Sequence, residues 1–123
     1  MTSIAVDRLD GLSSSTAVKG PCRVSTTANI TLSGEQTIDT VAVVTGDRVA
    51  VISQTTQSEN GIYVADTGAW RRAKDFSRTG DVVKGTMIFI TGGATNESDF
   101  VLVTTDDPVT IGATSITFGK FVA

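Results

Sequence analysis

Few residues in this chain of 123 could carry out catalysis. It has no His, which removes the usual general base near neutral pH and the commonest metal ligand. Its single Cys, Cys22, excludes an intrachain disulfide and any thiolate zinc site built from this chain alone. Cys22 precedes an apolar β pattern and reads as a buried structural thiol. Ser13, Ser14 and Ser15 near Lys19 suggest a Ser–Lys dyad, yet a Ser/Thr/Gly-rich segment does not pre-organise attack. Glu97 and Asp99 beside Asn96, and the Asp106-Asp107 pair, offer oxygen ligands of the kind Ca²⁺ takes. Neither set has calcium-loop spacing, and turns favour Asp and Asn for their own hydrogen bonds, so solvated loop acids are expected. Gly92-Gly93 lacks the Gly-Lys-Ser/Thr continuation of a phosphate loop. The expectation is a non-enzyme with no cofactor and no metal.

Recognition is the other chemistry on offer, and its candidates cluster. Trp70 and Tyr63, each the only one of its type, lie close to Arg71, Arg72, Lys74 and Arg78. Exposed, the two aromatics could stack on a sugar; buried, each anchors a core, a Trp covering roughly 200 Å². Packing is the expected role. The cations either pair with acidic groups on a partner or solvate one sheet face. In a strand Arg72 and Lys74 would share a face, with Arg71 opposite.

These residues sit on what reads as a hairpin. Asn60-Gly61 has the residue types of a tight turn, and Asp66-Thr67-Gly68 marks a second one. Between them Ile62 and Val64 fall on one face, Tyr63 and Ala65 on the other. Ala69 to Lys74 would return antiparallel.

The rest of the chain from Cys22 carries the same β signature. Cys22–Thr26, Asn29–Leu32, Gln36–Ile38, Val41–Val44, Arg48–Ser53, Thr86–Thr91, Asp99–Thr104 and Ser115–Val122 are candidate strands, separated by Gly, Asp, Asn and Ser turns. Thr86–Thr91 and Asp99–Thr104 are apolar on both faces. They need two-sided cover from a second sheet, a closed barrel or another subunit. Turns recur roughly every ten residues and no strong amphipathic helix appears. The fold expected is all-β: a small antiparallel β-sandwich or barrel with an extended N-terminal arm.

The arm, residues 1–21, is rich in Ser, Thr and Gly and ends at Lys19-Gly20-Pro21; the β domain spans 22–123. Ile4, Val6 and Leu9, with Leu12, could form a short amphipathic turn for a partner. Termini of this composition are held only by contacts, here expected from a neighbouring subunit. With a net charge of −3 the chain is a poor fit to phosphate-driven nucleic-acid binding. No apolar run approaches a membrane span, and Asp7, Arg8 and Asp10 interrupt any secretory signal, so synthesis in a cytoplasm is expected.

At the hairpin the sequence resembles a module of tailed-bacteriophage tail-fibre and receptor-binding proteins. Asn60-Gly61-Ile62-Tyr63-Val64 and Gly68-Ala69-Trp70-Arg71-Arg72-Ala73-Lys74-Asp75-Phe76 carry the likeness. Val24–Gly34 with Gln36–Asp39, Gly46-Asp47-Arg48-Val49, Val101–Thr105 and Ile111–Phe118 extend it over roughly residues 22 to 122. Phe100 stands where the module often has Trp. The resemblance implies a virion structural component, made in the host cytoplasm and assembled through contacts with other tail, collar or capsid proteins. It implies a homo-oligomer, a trimer by analogy with fibres, with residues 1–20 docking on a neighbouring virion protein. Two other readings compete: a capsid decoration (head fibre) protein, and a host-receptor or carbohydrate-binding module using Trp70 or Tyr63. Because the chain ends at Ala123, no receptor-reading tip is expected.

Overall fold

The computed structural model describes residues 18–122, the last two as backbone only. Ile4, Val6 and Leu9 therefore lie outside the described residues. Among those described there is no α-helix, only strands, turns and two short 3-10 segments. Nine strands form: β1 (Val24–Ser25), β2 (Thr37–Ile38), β3 (Val41–Ala42), β4 (Arg48–Val51), β5 (Gly61–Val64), β6 (Arg71–Arg72), β7 (Met87–Phe89), β8 (Asp99–Val103) and β9 (Phe118–Val122). They make a four-stranded sheet ordered β1-β4-β5-β6, a β2-β3 hairpin, and a three-stranded sheet ordered β7-β8-β9. The fold is an open sandwich, not a closed barrel.

One pairing is parallel. Val24 and Ser25 lie beside Val49 and Ala50 with the same chain direction, while the other strand pairs are antiparallel. The β2-β3 hairpin falls within the connection from β1 to β4, giving it the length a parallel pair requires. Its turn is Asp39-Thr40, both at positive φ (48° and 71°), as the tight hairpin turn demands.

The four-stranded sheet is apolar on both sides because its strands alternate between two cores. Ala50, Ile62 and, at its margin, Ile52 and Val64 face the larger core, with Phe76, Ile88, Val101, Val103 and Ile116. Val49, Val51, Tyr63 and Ala65 face the smaller one, with Val24, Val43, Ile38 and Trp70. The expected split of Ile62 and Val64 from Tyr63 and Ala65 is observed. The β2-β3 hairpin and the 30–43 loops form the lid of the smaller core.

The three-stranded sheet differs. Ile88, Val101 and Val103 are buried against the larger core, but Met87, Phe89, Phe100 and Leu102 on its other side are only half-buried. The chain's described residues thus supply one of the two covers that the apolar pattern of these strands demands.

Residues 18–22, mostly assigned to the arm by composition, run along the edge of β7. Val18 and Cys22 form parallel bridges with Met87 and Ile90. The Lys19 amide donates to the Met87 carbonyl at 2.9 Å and the Cys22 amide to that of Phe89 at 2.9 Å. The chain then crosses to the other sheet, so Cys22 packs in the larger core and Val24 in the smaller.

Candidate functional site

Asn60-Gly61 does not turn the hairpin. Asn60 closes a 3-10 segment, Gln57–Glu59, in extended conformation (φ −61°, ψ 149°), and Gly61 already pairs with Val51. The turn dipeptide was misread because Asn60 serves the core. Fully buried, it accepts from the Gln54 amide at 3.0 Å and donates through Nδ2 to the Ile116 carbonyl at 2.8 Å, joining two distant loops. Gly61 is required by space: a Cβ there would press on the Arg72 guanidinium and the Phe76 ring. The second turn forms as expected. Asp66 accepts from the Gly68 amide at 3.3 Å, and β6 returns with Tyr63 beside Arg72 and Val64 beside Arg71.

Both aromatics are spent inside. Trp70 is 7% exposed and its indole N–H donates to the Gly34 carbonyl at 3.0 Å. Tyr63 is 6% exposed and its hydroxyl donates to the Glu59 carbonyl at 2.6 Å. Burial pushes the Tyr63 phenol above its usual range. A stacking platform must present a ring face to solvent, and neither does. The Arg72 guanidinium caps Tyr63, 5.1 Å above the ring, and donates to the carbonyls of Asn60 (3.0 Å) and Ser58 (2.9 Å). Arg71 points outward and is exposed. Lys74 does not share a strand face with Arg72, because the chain turns into a 3-10 segment, Lys74–Phe76, to bury Phe76. The predicted cluster therefore separates into an inward arginine and outward cations.

Arg48 forms a clamp that the sequence reading passed over. Its guanidinium meets the Asp75 carboxylate through two bonds, at 3.1 and 2.9 Å. The same group donates to the Pro21 carbonyl at 3.2 Å and the Gly20 carbonyl at 3.0 Å. One side chain thus ties the end of the arm to the domain. Burial opposes charge on Asp75, but Arg48 outweighs it and holds the carboxyl below its ordinary range. Lys19, beside this pair, is buried, and desolvation lowers its ammonium. Burial pushes the Cys22 thiol up to about 12, removing the thiolate a nucleophile needs.

Three of the acids weighed for calcium, Asp99, Asp106 and Asp107, have other partners. Asp99 pairs with Lys120 at 3.3 Å, and Lys120 also donates to Asn96 at 2.9 Å. Asn96 in turn donates to Ser25 at 2.5 Å, so this network ties β1 to β9. Asp106 pairs with Lys84 at 2.8 Å, and Asp107 accepts from the Lys84 amide at 2.9 Å. Among the described residues no three His, Cys, Asp or Glu side chains gather as a metal site would require. Asp39 works as a staple instead. It accepts from the amides of Thr95 (3.0 Å) and Asn96 (3.2 Å), and only Gly at 93 leaves room for its carboxylate. Although burial opposes it, these amides hold the Asp39 carboxyl below its ordinary range.

A surface pocket of about 250 Å³ lies between Val82, Val83, Pro108 and Val109, with Asp107 at its rim. It is smaller than the range typical of ligand sites and has no convergent polar groups. No helix among the described residues is long and apolar enough to cross a membrane. No family model, curated protein or solved structure matches the chain.

Proposed function

We propose that this chain is a bacteriophage virion structural protein of tail-fibre or collar type. It acts through protein–protein contacts rather than chemistry, as a homo-oligomer with trimer favoured, and residues 1–20 dock on a neighbouring virion protein. One observation carries the reading. The aromatic side chains that would read a ligand, Trp70 and Tyr63, are buried with their polar ends satisfied, while an apolar sheet face is left half-open. A surface of that kind suits burial against protein. The tail-fibre-like strings across residues 22 to 122 add the class of particle.

Quantitative mass spectrometry of purified particles from the encoding virus tests this. A tail or collar part is present in a few to dozens of copies, on the order of what tail symmetry allows. Hundreds of copies would move the protein to the capsid surface, and absence from the particles would end the virion reading. A chain lacking residues 1–17, which keeps the Lys19 amide on Met87 and the Gly20 carbonyl on Arg48, should fold yet fail to be incorporated. Normal incorporation would remove the docking role from the arm.

A further inference from the structure

An apolar knob and an apolar hole stand on opposite sides of the four-stranded sheet. The knob is Val44. It is 48% exposed, the more so of the two large apolar side chains that stand in solvent among the described residues. Its turn holds it in place. The Asp47 amide donates to the Val44 carbonyl at 3.0 Å, and the Val44 amide donates to the Asp47 carboxylate at 2.9 Å. Gly46, at φ 97°, supplies the positive φ of the turn, and Glu35 accepts from both the amide and the hydroxyl of Thr45. The turn thus presents the side chain to solvent instead of letting it fold away.

The hole is the pocket of about 250 Å³ between Val82, Val83, Pro108 and Val109. Small and apolar for an ordinary ligand, it has room for one aliphatic side chain. Val43, next to the knob, packs in the smaller core, whereas Val82 and Val109 belong to the larger one, so a chain cannot fill its own pocket. The charges around the two features match in sign. Glu35 at the knob and Arg78, which precedes Thr79 of the pocket wall, are exposed and have no ion-pair partner among the described residues. Arg23 stands beside the knob through its bond to Asp47, and the exposed Asp107 stands at the rim of the hole.

We propose that Val44 of one copy seats in this pocket of a second copy, with Glu35 meeting Arg78 and Arg23 meeting Asp107. Unlike surfaces meet, so the contact is heterologous and builds a ring or a filament, not a two-fold dimer. The inference rests on the homo-oligomer part of the proposed function and gives that oligomer an interface.

The test uses full-length protein carrying Val44→Cys or Thr79→Cys, both at exposed positions, and a short bismaleimide; Cys22 is buried and does not react. A mixture of the two variants should give a two-chain product that is lost in an excess of the parent protein. Neither variant alone should give one, nor should Val44→Cys mixed with Thr67→Cys, at an exposed turn away from the pocket. A chain with both Val44→Cys and Thr79→Cys should close into a three-chain product if the trimer holds; an open ladder of products would keep the contact and end the trimer. No product in the mixture, or an equal product in the controls, overturns the proposal. If the protein then still sediments as an oligomer, the homo-oligomer reading stands with another interface; if it sediments as a monomer, both fall.

Discussion

The two sheets of this protein are built from similar residues but finished differently. In the four-stranded sheet, the apolar side chains of β4 and β5 are buried within the chain, Val49, Val51 and Tyr63 on one side and Ala50 and Ile62 on the other, with only Val64 at the margin half-buried. In the three-stranded sheet, Ile88, Val101 and Val103 are covered, while Met87, Phe89 and Leu102 stand half-open. The β2-β3 hairpin accounts for the difference. Stapled at Asp39 to the 94–96 loop, it provides an outer layer over one sheet, and the described residues hold no counterpart over the other. The described residues cover the first sheet on both sides and the second on one.

Core substitutions should separate these roles most sharply. Phe76 is fully buried between the sheets and stacks on Phe118 at 6.3 Å. Phe76→Ala should cost about 3–5 kcal/mol in urea unfolding. Phe89→Ala, half-exposed on the open strip, should cost about 1 kcal/mol. Equal losses would mean that the open strip is as well packed as the core, and the contrast would fail.

Buried polar ties come next in size. Asn60→Ala strands the Gln54 amide and the Ile116 carbonyl away from water, at about 2–3 kcal/mol. A loss near zero in the same assay would mean that water replaces the amide and that this end of the core is looser than described.

How much of this was legible follows from which forces act locally. Most strand positions, the two-faced apolar pattern and the Asp39-Thr40 turn depend on residue type and period two, so they were readable, although Asn29–Leu32, expected as a strand, forms none. The alternation put Ile62 and Val64 on one face and Tyr63 and Ala65 on the other, and each face packs in its own core. The two-sided apolar pattern of Thr86–Thr91 implied cover on both faces; Ile88 and Ile90 are buried, while Met87 and Phe89 on the other face are half-exposed, and residue pattern cannot tell where cover for that face would come from. Asn60-Gly61 misled because a buried Asn bridging to Ile116, 56 positions away, looks in sequence like a turn Asn. The Arg48 clamp was invisible for the same reason: its partners Asp75 and Gly20 lie 27 and 28 positions off. Of the candidate site residues, Trp70 and Tyr63 were rightly expected to pack. The division between Arg71 and Arg72 was readable from strand alternation, whereas Lys74 escaped it when the strand ended.

Trp70→Phe sharpens the reading of the smaller core. The substitution keeps most of the ring's packing and removes the N–H bond to Gly34. The expected cost is about 1 kcal/mol. Binding to a glycan array should be nil before and after. Glycan binding that disappears in this variant, with the fold intact, would restore the ring as a recognition surface.

The smallest expected effect concerns the root of the arm, where the two sheets meet. Asp75 faces Arg48, with Lys19 also nearby, and its carboxyl titrates below the usual range when folded. Unfolded, it titrates near about 3.9. A depressed folded value means the contact contributes fully above the unfolded value and is lost as pH falls from about 4 through the folded value. Both side chains are about one-third exposed, so solvent screening keeps the contribution at or below about 1 kcal/mol. Asp75→Asn should therefore be slightly less stable than the parent at pH 7, and the two unfolding curves should converge toward pH 3. A gap that stays constant across that range would show that Arg48 holds the arm through the Gly20 and Pro21 carbonyls alone, with the carboxylate adding no charge-dependent part.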